Sequence, residues 1–328
     1  MTAIDKYITR PLRNLGGSLG LYYRRIAAAR GARIVVYHGV CRKDPLRYNT
    51  LFVTERTFEQ HLILYKRLFH TITLDEFYQE KFADDRFNIC LSFDDGFANN
   101  NAYVLPLLEK YQVPAVFFVT AIRGEGYPFL WNDYLTITSV SGPAALQWEQ
   151  DTFVKRHDNT YVSLSTKKTL ADVLRDSEFD DKSKMMAMLA PFSSFALDNE
   201  NRDYWLQLTE EEIRHMSASP WVTIGSHGQF HNDLGRIPIA GATAELRSSK
   251  VFLENIIQHP VTSVAYPYGS YTAATLEQSM LSGYKQLLGA GSPELDNLSH
   301  PLLRQRMGIN PFISPAHQAL AIIKGNYD

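Results

Sequence analysis

Four residues at two places in the chain have side chains suited to metal binding and acid–base chemistry. Asp94 and Asp95 are adjacent, and His227 and His231 are separated by three residues. Two histidines and one aspartate are a common ligand set for a zinc ion that keeps an open position for water. Gly228 follows the first histidine, which excludes the helical zinc-protease motif because that motif has glutamate there.

Each pair alone also fits a simpler interpretation. Asp-Gly, as in Asp95-Gly96, favours a polar turn. Two histidines in one loop can be satisfied by ordinary hydrogen bonds. The prediction of a metal site therefore depends on the two pairs lying close together in the fold.

Predicted strand ends bring the polar residues together. Four hydrophobic segments each lead directly into a polar cluster: Tyr37-His38-Gly39, Asp94-Asp95-Gly96, residues 226–231 and Pro267-Tyr268-Gly269. In an α/β barrel the carboxyl ends of the strands all open on one face, so the four clusters are expected to form one site. The predicted strands are residues 33–37, 70–74, 88–93, 115–120, 221–225, 262–266 and 285–289.

Helical patterns alternate with these strands, as expected for an α/β barrel. They cover residues 58–68, 103–111, 242–257 and 273–282. Thr57 and Gln60 are predicted to cap the first of these helices. Residues from about 127 to 216 interrupt the alternation and are predicted to form a mainly helical insertion, whose last helix is capped by Thr209 and Glu212.

Composition excludes several classes of protein. The 328 residues carry a net charge of -2, which argues against a nucleic-acid partner. The two cysteines, Cys41 and Cys90, cannot build a disulfide framework. The sequence has no apolar run long enough to span a bilayer and no secretion-signal pattern at residue 1. We therefore expect a cytoplasmic protein, with the inner face of the membrane as one location.

The first segment of the chain, residues 1–32, is predicted to be a basic amphipathic helix. Residues 1–33 contain seven Lys and Arg residues against Asp5 alone. Apolar residues recur at spacings of three and four, at Ile8, Leu12, Leu15, Leu19, Tyr22 and Ile26. Such a helix can contact an anionic membrane surface, here through residues 1–30, or it can pack on its own domain.

Three motifs resemble those of the NodB-homology polysaccharide deacetylases: Phe93-Asp94-Asp95-Gly96, Gly225-Ser226-His227 with His231, and Tyr266-Pro267-Tyr268-Gly269. The resemblance covers residues from about 33 to 310, and it implies a distorted, TIM-like (β/α)7-type barrel over residues 33–328. It implies that Asp95, His227 and His231 hold a divalent metal and that Asp94 is the general base. It also implies that the backbone N–H of Tyr268 stabilises the oxyanion.

The general acid is a histidine in this family, and the chain offers two candidates. Leu298-Ser299-His300 matches the letters of the family's C-terminal motif, but it precedes a proline and a basic strand. A circularly permuted subgroup, which includes poly-N-acetylglucosamine deacetylases, carries the acid in a Tyr-His segment before the Asp-Asp motif. Tyr37-His38 is similar to that segment, so we predict His38 as the acid, although a histidine at a strand end can also merely tie loops together.

One position departs from the family pattern. The family has arginine two residues before the proline of Pro-x-Gly, where it pairs with the base, and this chain has Ala265 there. Arg304 and Arg306 could supply the missing charge, and we favour Arg306. If neither reached Asp94, the pKa of that carboxyl group would be higher.

The predicted activity is metal-dependent removal of N-acetyl groups from an amino-sugar substrate, which is an envelope polysaccharide or its nucleotide- or lipid-linked precursor. Zinc is the favoured metal, although cobalt, nickel or iron would fit the same ligands. A deformylase or another deacylase acting on a related sugar is the alternative within enzymes. A non-catalytic carbohydrate-binding barrel is the alternative outside them. Tyr127, Phe129 and Trp131 could stack on a sugar ring, but such aromatic residues are more often core residues.

Overall fold

A closed barrel of parallel strands forms the centre of the protein. The computed structural model describes residues 22–290 and 300–327. Its strands are β1 (Ala32–Tyr37), β2 (Val40–Cys41), β3 (Val53–Thr54), β4 (Phe69–Thr71), β5 (Phe87–Phe93), β6 (Ala115–Val119), β7 (Ala145–Trp148), β8 (Asp151–Lys155), β9 (Tyr161–Ser163), β10 (Val222–Ser226), β11 (Ser263–Ala265), β12 (Gln286–Ala290) and β13 (Leu303–Gly308).

The main sheet runs in the order β1-β13-β12-β11-β10-β6-β5-β4, and it closes because β1 also pairs with β5. All of these pairings are parallel. Seven strands therefore complete the barrel, while β4 pairs with the first residues of β5. The barrel predicted from the sequence is confirmed.

Burial on both sides explains why the barrel strands are continuously apolar. Every residue of β5 is buried. Successive residues of a barrel strand belong in turn to two separate clusters. One cluster, which also contains Leu62 and Leu246 from helices, lies between the barrel and its helical layer. The other cluster lies inside the barrel and includes Ile34, Cys90, Val116, Phe118, Ala265 and Leu288.

The helices surround the barrel or belong to the insertion. They are α1 (Tyr23–Ala28), α2 (Glu55–Leu68), α3 (Leu74–Tyr78), α4 (Leu105–Tyr111), α5 (Trp131–Ser141), α6 (Leu170–Arg175), α7 (Phe179–Leu189), α8 (Glu210–Ser217), α9 (Ile239–Ile257), α10 (Ala273–Leu281) and α11 (Pro315–Lys324).

Capping residues explain two wrong boundaries near the start of the barrel. The helix predicted from residue 58 begins at Glu55, because Thr54 rather than Thr57 is its cap and accepts a hydrogen bond from the Thr57 N–H at 3.1 Å. The strand predicted over residues 70–74 stops at Thr71, because Thr73 and Glu76 form a capping box that starts α3. The predicted Thr209 and Glu212 capping box of α8 is present.

The insertion contains more than helices. Helices α5, α6 and α7 accompany a three-stranded antiparallel sheet of β7, β8 and β9, which the sequence pattern did not predict. These elements share a second core cluster around Trp131 and Trp148, which also includes Cys41, Phe52 and Phe97. Ile213 and Met216 of α8 belong instead to the barrel cluster, so we propose that the barrel resumes near residue 210.

Most of the predicted N-terminal amphipathic helix, residues 1–21, lies outside the described residues. The described part, α1, buries Ile26 in the barrel cluster. The Arg67 guanidinium lies 4.4 Å from the centre of the Tyr23 ring. No helix in the two described stretches combines the length and apolar composition needed to cross a bilayer.

Candidate active site

A tight turn after β5 presents Asp94 and Asp95 at the carboxyl end of the barrel. The Asp94 N–H donates to the Tyr37 carbonyl at 3.0 Å and continues the pairing of β1 with β5. Asp95 and Gly96 both have positive φ, at 74° and 81°. A side chain at residue 96 would place Cβ 2.8 Å from Val119 Cγ1, so the turn requires glycine there.

Asp95, His227 and His231 meet as the sequence predicted. All three are buried, and their ligand atoms lie within 4.8 Å of one another. Asp95 Oδ1 is 3.4 Å from His227 Nε2 and 3.2 Å from His231 Nε2. Two atoms bound to one tetrahedral zinc ion at about 2.0–2.1 Å would lie about 3.3–3.4 Å apart. The donor set and its spacing therefore fit a divalent metal.

The two histidines are oriented in different ways. His227 Nδ1 lies 2.8 Å from the Ala265 carbonyl, to which it can donate, and this leaves the Nε2 lone pair free for a metal. His231 Nδ1 is buried and has no hydrogen-bond partner among the described residues. The backbone carbonyl of His231 instead accepts a hydrogen bond from Trp131 Nε1 at 3.0 Å.

Arg306 pairs with Asp94 through two parallel hydrogen bonds. Arg306 Nη1 and Nη2 lie 2.6 Å and 2.7 Å from the two carboxylate oxygens. Burial alone would raise the pKa of Asp94, but the charge of Arg306, assisted by His227, holds that pKa below its ordinary value. Arg306 thus occupies the position that the sequence assigned to a charge near the base. Arg304 bonds to the Pro301 and Leu303 carbonyls instead.

His38 lies at the end of β1, close to both aspartates. Its charge, when protonated, contributes to lowering the pKa of Asp94 and of Asp95. The residue is only partly buried, so solvent can reach it. His300, the histidine of the discounted motif, bonds to the Leu302 N–H at 3.2 Å.

Tyr268 lies in a turn that follows β11, next to the metal-site histidines. Its backbone is left-handed, with φ 59°, and its ring centre is 4.8 Å from that of His231. The turn requires glycine at residue 269, since a Cβ there would lie 2.5 Å from the Ala290 nitrogen. Arg175 from the insertion stacks 4.3 Å above the Tyr268 ring.

Several buried polar residues at the site were not predicted from the sequence. Asp133 is buried with Oδ2 unpaired among the described residues, and burial together with the charge of Asp95 holds its pKa well above the ordinary value. Glu245 and Lys182 are also buried, and they contact the loop that carries His231. Asp133 follows Trp131 by two residues at the start of a helix, but nothing local in the sequence shows that this helix reaches the site.

Comparison with known proteins identifies the class. The family model for polysaccharide deacetylase matches residues 83–146 and 183–287, just over half of the chain. The chain therefore belongs to the polysaccharide deacetylase family. The Bacillus subtilis (strain 168) protein YxkH, which bears the name of a polysaccharide deacetylase, is 25% identical over 150 residues, covering 39% of this chain. The chain matches 52% of the length of that relative.

Solved structures have the same fold at low sequence identity. The Streptococcus pyogenes deacetylase PplD in complex with acetate is 18% identical with a TM-score of 0.58, covering 89% of this chain and 97% of its own. A Bacillus cereus polysaccharide deacetylase is 17% identical with a TM-score of 0.54, covering 89% and 68%. A de-N-acetylase from Aggregatibacter actinomycetemcomitans is 14% identical with a TM-score of 0.51, covering 87% and 95%.

Proposed function

We propose that this protein is a metal-dependent carbohydrate de-N-acetylase that hydrolyses an N-acetyl group to a free amine and acetate. The observation that carries the proposal is the buried Asp94–Arg306 pair directly beside the Asp95, His227 and His231 cluster. This arrangement provides an anionic base next to three ligands for one cation. Membership of the polysaccharide deacetylase family supports a carbohydrate substrate.

Asp95, His227 and His231 would hold the metal, for which we favour zinc. A bound divalent metal would supply Lewis-acid polarisation of the carbonyl and would make a nucleophile from water at neutral pH. The three ligands leave a coordination position open, as catalytic zinc sites require.

The remaining residues divide the proton transfers between them. Asp94, kept anionic by Arg306, accepts the proton of the attacking water. The Tyr268 backbone N–H donates to the oxygen that gains negative charge. His38 donates a proton to the departing nitrogen, which would otherwise leave as an unstable anion. The side chain of Arg306 touches the proposed base and lowers its pKa.

The acyl group and the carrier are proposed on other grounds. The Streptococcus pyogenes relative is a deacetylase in complex with acetate, the product that hydrolysis of an N-acetyl group releases. As substrate we propose an amino sugar in an envelope polysaccharide or in its nucleotide- or lipid-linked precursor. Membrane contact through residues 1–30 remains a prediction from the sequence, since most of that segment lies outside the described residues.

An Asp94→Asn variant tests the assignment of the base. The amide cannot accept the proton, so acetate release should fall about 100- to 10,000-fold while binding of zinc is retained. Release of acetate should be measured with N-acetylated polymers, nucleotide sugars and lipid-linked sugars, and release of formate with N-formyl analogues. Asp85→Asn, an exposed change before the same strand, is the control and should leave turnover intact. Wild-type turnover in Asp94→Asn would contradict the proposal. A wild-type protein that binds carbohydrate without turnover, with the same affinity as Asp94→Asn, would favour a binding barrel.

A further inference from the structure

Side chains from the insertion hold the loop that carries His231. The Trp131 indole N–H donates to the His231 carbonyl at 3.0 Å. The Lys182 ammonium donates to the side-chain oxygen of the next residue, Asn232, and lies 4.7 Å from the centre of the Trp131 ring. Two helices of the insertion, α5 and α7, therefore contact two consecutive residues at the metal site.

A third helix of the insertion contacts the following residue. Arg175, at the end of α6, donates through Nε to Asp233 Oδ2 at 2.5 Å. Asp233 is completely buried. Three consecutive loop residues are thus bound by side chains from three different helices of the insertion.

The barrel holds the same loop from its other side. Glu245 of α9 accepts hydrogen bonds from the backbone N–H groups of Gln229 at 3.0 Å and Phe230 at 3.2 Å. Its other carboxylate oxygen accepts from the Asn232 side-chain amide. Asn232 therefore bridges Lys182 and Glu245, and the loop is enclosed between the barrel and the insertion.

The backbone of His231 needs such support for two reasons. It has a left-handed conformation with φ 57°, which is strained for a residue other than glycine and persists only where surrounding contacts hold it. In addition, its ring Nδ1 has no partner among the described residues, whereas His227 is oriented by the Ala265 carbonyl. No hydrogen bond from Nδ1 to a described residue orients the His231 ring, so the contacts of its backbone add to those of the ring with Tyr268 and Asp95.

Burial of the Lys182 ammonium group is unfavourable unless the group has a role besides packing. Its side chain is fully buried and also donates to the Ser177 carbonyl at 2.9 Å. Removing an ammonium group from water carries a large penalty, which well-packed apolar residues would avoid. A fixed ammonium does, however, orient Asn232, whose side-chain amide donates to Glu245.

We propose that Trp131 and Lys182 are positioning residues that hold His231 at the geometry of a metal ligand, so that the insertion sets the affinity of the site for its metal. The inference rests on the proposed role of His231 in metal binding. It assigns to the insertion a function in building the metal site from outside the barrel.

The test is metal affinity in a matched pair of lysine variants. Lys182→Met removes the ammonium group but keeps the length of the chain. Lys184→Met, on the same helix, removes an exposed lysine that pairs with Asp181 on the surface. Zinc affinity measured by competition with a chelator should weaken about 10- to 100-fold in Lys182→Met and stay unchanged in Lys184→Met. The visible absorption of the cobalt-loaded protein should also change only in Lys182→Met.

Trp131→Phe is the second variant, because it removes the indole N–H and keeps an aromatic ring. It should also weaken zinc binding, and it decides the question if Lys182→Met does not fold. Wild-type zinc affinity and a wild-type cobalt spectrum in either folded variant would overturn the proposal. His231→Ala separates this outcome from failure of the proposed function: if it binds zinc as tightly as the wild-type protein, the metal site itself is wrongly assigned.

Discussion

Arg306 should determine whether Asp94, the proposed base, is deprotonated at low pH. The pair is buried and bidentate, so Arg306→Gln should leave an uncompensated carboxylate and destabilise the fold by about 3–5 kcal/mol. Burial would then raise the pKa of Asp94 without opposition from the guanidinium. Because the proposed base would accept a proton only when deprotonated, the acidic limb of the kcat/KM profile should move to higher pH.

The pH profile is measured with acetate release as the readout, at a temperature where the variant is folded. Arg304→Gln on the same strand is the control, since Arg304 bonds to backbone carbonyls and stacks 5.2 Å from the centre of the Tyr78 ring. A folded Arg306→Gln protein with an unchanged acidic limb would show that Asp94 is not the group that titrates.

For single residues, the sequence predicted the positions of those that follow strands. It missed residues that reach the site from other elements. The meeting of His227, His231 and Asp95 was predictable because each follows a barrel strand, whose end has a fixed place on the barrel face. Arg306 was predictable only as one of two arginines. Successive side chains of β13 point to opposite faces, so Arg304 and Arg306 share one face. Only the register of the closed barrel shows that Arg306, nearer the carboxyl end, reaches Asp94. Lys182 was not predictable, since its contact depends on how the insertion folds over the barrel.

Helix α8 connects the end of the insertion to the barrel, and a capping box stabilises its first turn. Thr209 accepts a hydrogen bond from the Glu212 N–H at 3.2 Å, and the Glu212 carboxylate accepts from the Thr209 N–H at 2.8 Å. Thr209→Ala should therefore lower the free energy of unfolding by about 0.5–2 kcal/mol.

Urea unfolding should show this loss as a lower midpoint with an unchanged slope. Thr243→Ala is the control, because Thr243 is partly buried within α9 and its hydroxyl donates to the Ile239 carbonyl of the same helix rather than capping a helix end. If both threonine variants unfold at the wild-type midpoint, the capping box contributes nothing to stability. The residue before Thr209 donates to the Gly96 carbonyl at 2.8 Å, so the cap also lies close to the Asp-Asp turn.

Elements with a strong local signal were predicted, and those that depend on distant partners were not. The strand before Asp94 is apolar throughout because both of its faces are buried. The β7, β8 and β9 sheet has short strands, partly exposed, and its pairing is stabilised by contacts within the insertion. The start of α2 was placed three residues late, because Thr54 and Thr57 both resemble caps and only the backbone geometry distinguishes them.

The stability of the whole molecule should depend on pH through His61, a buried histidine outside the candidate active site. His61 is fully buried in α2, and its Nδ1 lies 3.0 Å from the Tyr37 hydroxyl at the end of β1. Burial lowers the pKa of His61 to about 3. The unfolded chain, with an ordinary pKa near 6.5, therefore takes up a proton that the folded protein excludes.

This contribution is present in full above pH of about 6.5 and is lost as the pH falls toward the folded-state value, at up to about 1.4 kcal/mol per pH unit. His61→Asn keeps an acceptor for Tyr37 and cannot titrate. It should be less stable than the wild-type protein at pH 8, and this deficit should shrink as the pH falls from 6.5 to 5. Denaturant unfolding across that range measures the difference, with the exposed His157→Asn as control. A deficit that stays constant with pH would mean that His61 is protonated in the folded barrel.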